Sequence, residues 1–192
     1  MDMLVAPNDT APLIAVDPRD VALTPLDKAS CHQGDGVLHR AFSVFLFDRD
    51  GRVLLQRRSA YKPLWPGWWA NSCCSHPRWG EPLKHAVQRR VREELGVPML
   101  GLPCWRFRFI YHARYRDVGS EHELCHVFTG QLAAPPRPDP REIAEWCWLD
   151  PRQLQHALAD PEAPFTPWLR LEWPRLWPRL ACSKSVDVVG AD

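Results

Sequence analysis

The strongest constraint on the fold is a helix pattern at residues 81–96, EPLKHAVQRRVREELG. Apolar residues recur there at three- and four-residue spacing and so share one helix face: Leu83, Ala86, Val87, Val91 and Leu95. Pro82 suits the first turn, and Gly96 suits the C-terminal cap. The sequence therefore predicts an amphipathic helix in the middle of the chain.

Strand patterns lie on both sides of this helix. Runs rich in aromatic and β-branched residues, or alternating in polarity, predict strands at 39–48, 52–59, 105–116, 121–132 and 142–150. The turns DRDG and DVGS join the first four of these into two hairpins. An order of strands, helix, strands and then helices predicts an α+β or layered α/β/α domain.

Two further helices are expected near the C-terminus. Asp150 and Thr166, each followed by proline, are suited to begin them. Pro174 should kink or end the last helix. We expect residues 1–24 to be a loose lead-in, residues 25–180 to form one domain, and residues 181–192 to be a tail.

Composition narrows the class of protein. Hydrophobic residues make up 45% of the 192 residues, as in soluble globular proteins. A net charge of +1 does not favour a nucleic-acid or membrane partner, and no apolar run is long enough to span a bilayer. Seven cysteines, without a CxxC spacing or a secretory signal, favour reduced thiols in the cytoplasm. Adjacent cysteines such as Cys73 and Cys74 rarely form a disulfide.

Acidic residues and histidines provide candidate metal ligands. Glu121 and Glu123 should point to the same side of a strand, where two carboxylates repel unless a cation or shared proton intervenes. With His32, His39 and His76 they would suit a divalent transition metal. A solvated strand edge and structural histidines explain the same residues without a metal.

Charged residues around the helix suggest a phosphate site. Glu93 or Glu94, at its C-terminal end, could hold Mg²⁺ together with phosphate oxygens. The two point in different directions, so only one of them can join a given site directly, and a solvated helix face is the commoner explanation. Basic residues that would suit a diphosphate if they converge are Lys28, Arg57, Arg58, Lys62, Arg89 and Arg90. For any single one of them, an ordinary soluble surface is the commoner explanation.

Residues 75–97, SHPRWGEPLKHAVQRRVREELGV, resemble the Nudix box, G-x5-E-x7-R-E-U-x-E-E-x-G-U. The matching positions are Glu81, Arg89, Val91, Glu93, Glu94, Gly96 and Val97. Two positions differ, since Ser75 replaces the leading glycine and Arg90 replaces the glutamate after the arginine. These losses weaken the case for diphosphate hydrolysis, which uses the full set of carboxylates.

Roughly residues 25–180 are similar to the type I isopentenyl-diphosphate isomerases, Nudix-fold enzymes that do not hydrolyse their substrate. The resemblance rests on two histidines seven residues apart, on WPGWWANSCCSHP, and on EHELC, which occur in the family's order. It implies a Nudix-type α/β/α sandwich, with a mixed central sheet flanked by helices and a core at about 37–171. It also implies isomerisation of isopentenyl diphosphate to dimethylallyl diphosphate in isoprenoid biosynthesis.

The resemblance assigns roles residue by residue. Cys74 and Glu123 would be the catalytic pair, assisted by Tyr111. Zn²⁺ or Mn²⁺ would be bound by His32, His39, His76, Glu121 and Glu123, and Mg²⁺ carried by the substrate would be bound by Glu94. The diphosphate would be contacted by Lys28, Arg58, Lys62 and Arg90, and the hydrocarbon would be covered by Trp168.

Moving a double bond requires one proton to be added and another removed, on either side of a flat five-carbon skeleton. The carbocation-like state between these events needs a dry pocket and aromatic faces, for which Trp168 and Trp65 are the leading candidates. We expect an isoprenoid diphosphate substrate, no nucleic-acid or membrane partner, and a monomer or weak homodimer. The rival hypotheses are a Nudix hydrolase of a nucleoside diphosphate derivative and a non-catalytic metal-bound domain.

Overall fold

A computed structural model describes residues 11–183. Its strands are β1 (Leu13–Val16), β2 (Ala22–Leu26), β3 (His39–Phe47), β4 (Val53–Arg58), β5 (Trp69–Ala70), β6 (Cys73–Ser75), β7 (Met99–Tyr115), β8 (Gly119–Leu132) and β9 (Ile143–Leu149). Its helices are α1 (Lys28–His32), α2 (Leu83–Leu95), α3 (Pro151–Ala157) and α4 (Pro167–Ser183). None of these helices combines the length and the apolar character needed to cross a bilayer.

Strand β3 organises a mixed sheet. It runs parallel to β8 from end to end, and antiparallel to β1, β4 and β6. β8 pairs in turn with the long antiparallel strand β7, and β4 pairs with β5 and β9. The predicted hairpins β3–β4 and β7–β8 are both present.

The side chains of β3 alternate between two hydrophobic cores. Phe42, Val44 and Leu46 pack with the apolar face of α2, whereas Phe45 packs with residues of α3 and α4. Successive side chains of a strand point to opposite faces of the sheet, so one strand can fill both cores. The sheet therefore lies between α2 on one side and α3 and α4 on the other, which confirms the predicted α/β/α sandwich.

Helix α2 forms as its periodicity predicts. Its buried apolar residues include Val87, Val91 and Leu95. Gly96 follows in the left-handed conformation, at φ 68°, and its N–H donates to the carbonyl of Arg92. Glycine adopts this conformation without the steric penalty that a side chain would add, so the chain can leave the helix at this point.

The N-terminal segment differs from expectation. Residues expected to be a loose lead-in include strand β1, whose four residues are all buried and which pairs with β2 and β3. Helix α1 was also not predicted, because it spans only five residues and buries only Cys31. Its start is nevertheless well defined, since the Asp27 side chain accepts from the backbone N–H of Ser30.

Helix α4 continues past Pro174 and Pro178, so of the two outcomes predicted at Pro174, a kink or an end, the end is wrong. Buried contacts of Leu169, Trp173 and Leu176 with the sheet explain this, because tertiary packing can outweigh the backbone hydrogen bond that a proline removes. The starts at Asp150 and Pro167 are as expected, and Asp150 forms a capping box with Gln153. Most of the tail expected at 181–192 lies outside the described residues.

Candidate active site

Strand register brings the first site residues together around Glu123. The parallel pairing of β3 with β8 sets His39 beside Glu123, and the antiparallel pairing of β7 with β8 sets Tyr111 on its other side. The Tyr111 hydroxyl donates to Oε2 of Glu123 at 2.8 Å. Glu121 lies two residues earlier on β8 and therefore shares its face of the sheet.

Two histidines from other elements complete the cluster. His32 is the last residue of α1, and its Nε2 lies 2.9 Å from Oε2 of Glu121. His76 directly follows β6, and its Nε2 lies 3.0 Å from Oε1 of Glu123. The three imidazole ring centres are 4.8–5.2 Å apart. One potential ligand atom from each of the five predicted metal ligands lies within 4.8 Å of the others.

The histidines are oriented in a way that fits a metal ion. Nδ1 of His32 lies 2.7 Å from the carbonyl oxygen of Lys28, and Nδ1 of His39 lies 2.7 Å from that of Val37. A carbonyl oxygen can only accept, so Nδ1 carries a hydrogen in both rings, and Nε2 of the neutral His39 ring keeps its lone pair. Nε2 of His39 is buried and has no hydrogen-bond partner among residues 11–183. Such a set of imidazole nitrogens and carboxylate oxygens suits a divalent transition metal.

The charges in this cluster depend on one another. Burial and the neighbouring Glu121 raise the pKa of Glu123 well above its ordinary value. Burial also acts to raise the pKa of Glu121, but the charge and hydrogen bond of His32 outweigh it and hold that pKa at about 2. Burial lowers the pKa of His39 to about 4 and lowers that of His76 well below its ordinary value. Neutral imidazoles are the form that binds metal.

Cys74 lies on the opposite face of its strand from Cys73. Cys73 is fully buried in the core beneath α2, whereas Cys74 packs against the cluster that contains Tyr111 and Trp168. The Cys74 thiol donates to Oδ1 of Asn71 at 2.5 Å. Burial raises the pKa of this thiol well above its ordinary value, so the side chain is neutral and carries its proton.

Aromatic rings surround the thiol side of the site. Trp168 is 2% exposed, and its ring centre lies 5.3 Å from that of Trp65 and 6.4 Å from that of Tyr111. Tyr111 stacks on Phe109 at 5.5 Å, and Trp65 contacts Tyr115 at 5.1 Å. These rings form an apolar wall of the kind that the chemistry of a carbocation-like state requires.

The predicted diphosphate contacts occupy different surroundings. Lys62 and Arg90 converge on one carboxylate, that of Glu142, with which both form ion pairs. Arg58 instead donates twice to the carbonyl oxygen of Leu64, and its guanidinium lies 5.2 Å from the Trp168 ring centre. The structure therefore places Lys62 and Arg90 together and sets Arg58 against the aromatic wall.

The remaining two predicted residues lie on helices α1 and α2. Lys28 is the first residue of α1, one turn before His32, and its charge helps to lower the pKa of the buried His76. Glu94 is almost fully buried, and its Oε1 lies 2.5 Å from Nη2 of Arg90. Lys28, which the resemblance groups with the diphosphate contacts, therefore lies beside the histidines, and Glu94 lies beside Arg90.

The carboxylates of the Nudix-like segment are paired with arginines. Arg89 binds Glu81 through two nitrogens at 2.7 and 2.8 Å and also reaches Glu93 at 3.1 Å. Arg90 binds Glu93 at 2.8 Å and Glu94. A glutamate at the position of Arg90 would instead have added a fourth carboxylate. The absence of this fourth carboxylate disfavours the hydrolase hypothesis, which uses the full set to hold metal ions.

Sequence reasoning missed three residues that hold this site together. Asn71 lies within the quoted motif, but only the structure shows that it accepts from both Cys74 and Trp168. Ser43 contacts the Cys74 sulfur at 3.6 Å from the middle of β3. Glu142 has no sequence signal beyond being one acid among many, because its importance comes from facing Lys62 and Arg90.

Comparison with known proteins identifies the class of protein. Residues 37–169 match the NUDIX domain. The crystal structure of a Deinococcus radiodurans protein has a TM-score of 0.65 at 23% identity, covering 85% of this chain and 97% of that one. A MutT NUDIX hydrolase from Burkholderia pseudomallei has a TM-score of 0.56 at 23% identity, covering 72% and 98%. Identities this low concern the fold alone, and the chain is a Nudix protein by its matching domain.

Closer relatives define the family within that class. An isopentenyl-diphosphate Delta-isomerase of Photorhabdus laumondii is 40% identical over 161 residues, which cover 84% of this chain and 92% of the relative. One from Mycolicibacterium vanbaalenii is 43% identical, covering 88% and 93%, and one from Nocardia farcinica is 44% identical, covering 82% and 90%. The chain belongs to the isopentenyl-diphosphate Delta-isomerase family.

Proposed function

We propose that this protein is an enzyme that isomerises isopentenyl diphosphate to dimethylallyl diphosphate, an allylic transposition of a double bond in isoprenoid biosynthesis. The observation that carries the proposal is the position of Glu123. This carboxyl belongs to the His/Glu cluster, accepts from Tyr111, and so borders the aromatic wall that also contains Cys74. A proton-transferring carboxyl and a proton-carrying thiol thus flank one apolar region.

Cys74 and Glu123 form the proposed catalytic pair. One adds a proton to the alkene, and the other removes a proton from the neighbouring carbon, so the net charge of the substrate is unchanged. The group that adds the proton must start protonated, and the other must start unprotonated so that it can take one up. Burial favours the protonated forms of both Cys74 and Glu123, whereas the charge of a bound metal ion would favour the carboxylate of Glu123. Tyr111 orients the Glu123 carboxyl by its hydrogen bond.

The surrounding rings exclude water from the reacting carbons. Trp168 and Trp65 present aromatic faces and edges to the region beside Cys74. Their π-electrons stabilise positive charge that develops on the hydrocarbon, and their bulk keeps out the water that would capture it. Binding of the distant diphosphate orients the reactive end of the substrate against them.

The proposed cofactors are two divalent metal ions. Zn²⁺ or Mn²⁺ would be held by His32, His39, His76, Glu121 and Glu123. When bound, the ion supplies the positive charge that two adjacent carboxylates require. Mg²⁺ would arrive with the substrate diphosphate and be held by Glu94, while the basic contacts would come from Lys28, Arg58, Lys62 and Arg90.

The proposed setting is the cytoplasm, with an isoprenoid diphosphate as the small-molecule partner. Each of the six cysteines whose side chains the structure describes is free, as reduced thiols in that compartment would be. The net charge of +1 gives no reason to expect nucleic-acid or membrane partners. We propose that the enzyme works as a monomer or weak homodimer.

Incubation with isopentenyl diphosphate and Mg²⁺ in D₂O tests the proposed reaction. The expected product is dimethylallyl diphosphate that carries deuterium from the solvent, detected by NMR and mass spectrometry. Release of phosphate from the substrate would instead indicate hydrolysis. Either that result or the absence of any product, with metal-loaded and folded protein, would rule out the isomerase.

A further inference from the structure

Helix α4 contains a buried acid to which sequence reasoning assigns no role. Glu172 is 0% exposed, and its Oε2 has no hydrogen-bond partner within the described residues 11–183. Its Oε1 lies 3.5 Å from the Cys125 sulfur. Burial raises the pKa of the Glu172 carboxyl to about 8, against hydrogen bonds from Ser43 and Cys125 that lower it. A buried, incompletely paired carboxyl destabilises a fold, so its presence calls for an explanation.

Ser43 connects this carboxyl to the catalytic thiol. Its hydroxyl oxygen lies 3.6 Å from the sulfur of Cys74 and 3.5 Å from that of Cys125. Cys125 joins this hydroxyl to Glu172, because the same sulfur lies 3.5 Å from Oε1 of Glu172, and a hydrogen bond from Ser43 acts to lower the pKa of that carboxyl. A hydroxyl has one hydrogen to donate and two lone pairs, so a partner that fixes its hydrogen also fixes which side it presents to the thiol.

The same helix reaches Cys74 by a second route. Trp168, one turn before Glu172 on α4, donates from its indole nitrogen to Oδ1 of Asn71 at 3.1 Å. The same oxygen of Asn71 accepts a hydrogen bond from the Cys74 thiol. The side-chain nitrogen of Asn71 donates to two backbone carbonyl oxygens, each at 3.1 Å. Residues four apart on a helix share a face, so α4 approaches the thiol through Asn71 on one path and through Ser43 on the other.

We propose that Glu172 is a positioning residue that, through Ser43, fixes the place of the Cys74 thiol beside the aromatic wall. The proposal rests on the proposed function, in which Cys74 transfers a proton to or from the substrate. A reacting group displaced by about 1 Å can lose about a hundredfold in rate. Glu172 does not touch the substrate in this scheme, because Ser43 lies between it and the thiol.

A positioning role and a merely structural role predict different results for two substitutions. Glu172→Leu removes the carboxyl that contacts Cys125 and neighbours Ser43 but fills a similar volume with apolar atoms, so the fold should be as stable or more stable. Glu172→Gln keeps an oxygen that accepts from Ser43. If Glu172 only supported the fold, turnover per folded molecule would be the same in both variants.

Steady-state kinetics and thermal unfolding separate these possibilities. We expect Glu172→Leu to lower kcat at least tenfold, with KM within about threefold and an unchanged or raised Tm. We expect Glu172→Gln to keep kcat within threefold. The control is Glu162→Gln, an exposed carboxyl between α3 and α4, which should match the unaltered protein. Full kcat in Glu172→Leu, or equal losses in Glu172→Leu and Glu172→Gln, would overturn the proposal.

Ser43→Ala tests the connecting hydroxyl directly. It should lower kcat as much as Glu172→Leu, and the double variant should lose no more than either single variant, because both break one path. Independent losses that multiply in the double variant would contradict a shared path. Should Glu172→Leu fail to fold, Glu172→Met replaces it in the same comparison.

The alkylation rate of Cys74 provides a readout that does not depend on turnover. Iodoacetamide modification, followed by peptide mass spectrometry, should be at least threefold faster in Glu172→Leu than in the unaltered protein or Glu172→Gln, because the thiol is less restrained. If the unaltered protein shows no isomerase activity, the proposed function fails, but this rate still decides the role of Glu172. Equal rates in all three proteins would refute it.

Discussion

At the scale of single residues, neighbours rather than residue type decide the chemistry. Glu121 and Glu123 are identical side chains two positions apart on β8. His32 stabilises the charge of Glu121, so its pKa lies at about 2. Burial and the negative charge of Glu121 raise the pKa of Glu123 well above the ordinary value of a glutamate. Environments that drive two carboxyl pKa values apart separate a fixed charge from a proton carrier.

Adjacent cysteines offer a matched test of the proposed thiol. Cys74→Ala should keep its metal content and lose at least about a hundredfold in kcat, because proton-transfer groups typically contribute that much. Cys73→Ala, one position away but inside the core beneath α2, should lose stability and keep kcat. Turnover assays with metal analysis check both. An active Cys74→Ala variant would contradict the role proposed for this thiol.

Glu142 gives a pH-dependent prediction at the same scale. Burial acts to raise its pKa, but Lys62 and Arg90 outweigh it and hold it at about 2, below the ordinary 4.5. The unfolded chain therefore binds more protons between these values, so the stabilisation is complete above pH 4.5 and is lost as the pH falls towards 2. Glu142→Gln should cost about 3 kcal/mol at pH 7.

Urea unfolding at pH 7, 4 and 3 measures the change. The difference in the free energy of unfolding between Glu142→Gln and the unaltered protein should become smaller as the pH falls. Glu145→Gln is the control, because this exposed carboxylate pairs with Arg57 at 2.8 Å and should contribute less than about 1 kcal/mol. A difference independent of pH would show that the charge of Glu142 is not what stabilises the fold.

At the scale of elements, the C-terminal end of α2 depends on a glycine for two reasons. Gly96 has a positive φ of 68°, and a Cβ there would clash with the backbone carbonyl oxygen of Arg137. Gly101 has a similar φ of 71°, but nothing lies within 4 Å of its would-be Cβ. A comparison of Gly96 with Gly101 therefore separates the cost of a left-handed backbone conformation from the cost of a steric clash at Cβ.

Alanine substitutions at these two glycines should therefore differ in cost. Gly101→Ala should destabilise by about 1–2 kcal/mol, the cost of a left-handed conformation for a residue with a side chain. Gly96→Ala should cost about 1–3 kcal/mol more, because the loop that contains Arg137 must move. Chemical denaturation of both variants checks the difference. Equal losses of stability in the two variants would show that the loop containing Arg137 can move at little cost in free energy.

At the scale of the whole molecule, the His/Glu cluster is an assembly of four distant elements. Its ligands come from α1, from the start of β3, from the residue after β6, and from β8. An ion bound there would bind the folded chain only, because no unfolded chain holds these residues together. Metal binding should therefore stabilise the entire fold.

Addition of Mn²⁺ to metal-free protein should raise Tm. At a Mn²⁺ concentration one hundred times Kd, the folded state should be stabilised by about 2.7 kcal/mol. Glu121→Gln should abolish most of the rise, because it removes a charged oxygen from the cluster. His156→Gln, which changes an exposed histidine on α3, should leave the rise unchanged. Calorimetry measures the shift, and a full shift in Glu121→Gln would exclude this site as its cause.

An element could be predicted from the sequence when the interactions that form it lie within a few residues of one another. α2 was predicted well because its apolar spacing and its Gly96 cap are local signals. β1 was missed, because what makes it a strand is pairing with β2 and β3 rather than its own short sequence. The end of α4 was misjudged at Pro174, because buried contacts such as that of Trp173 outweigh a local helix breaker.

The sequence by itself determined the order of the main strands and helices, the opposite facing of Cys73 and Cys74, and the residue types of the proposed site. Only the tertiary structure decided which side chains meet. It joined Glu142 to Lys62 and Arg90, placed Glu172 against Cys125, and gave Glu121 and Glu123 different pKa values. Periodicity and caps act within a few residues, whereas burial and charge act across space between residues far apart in the chain.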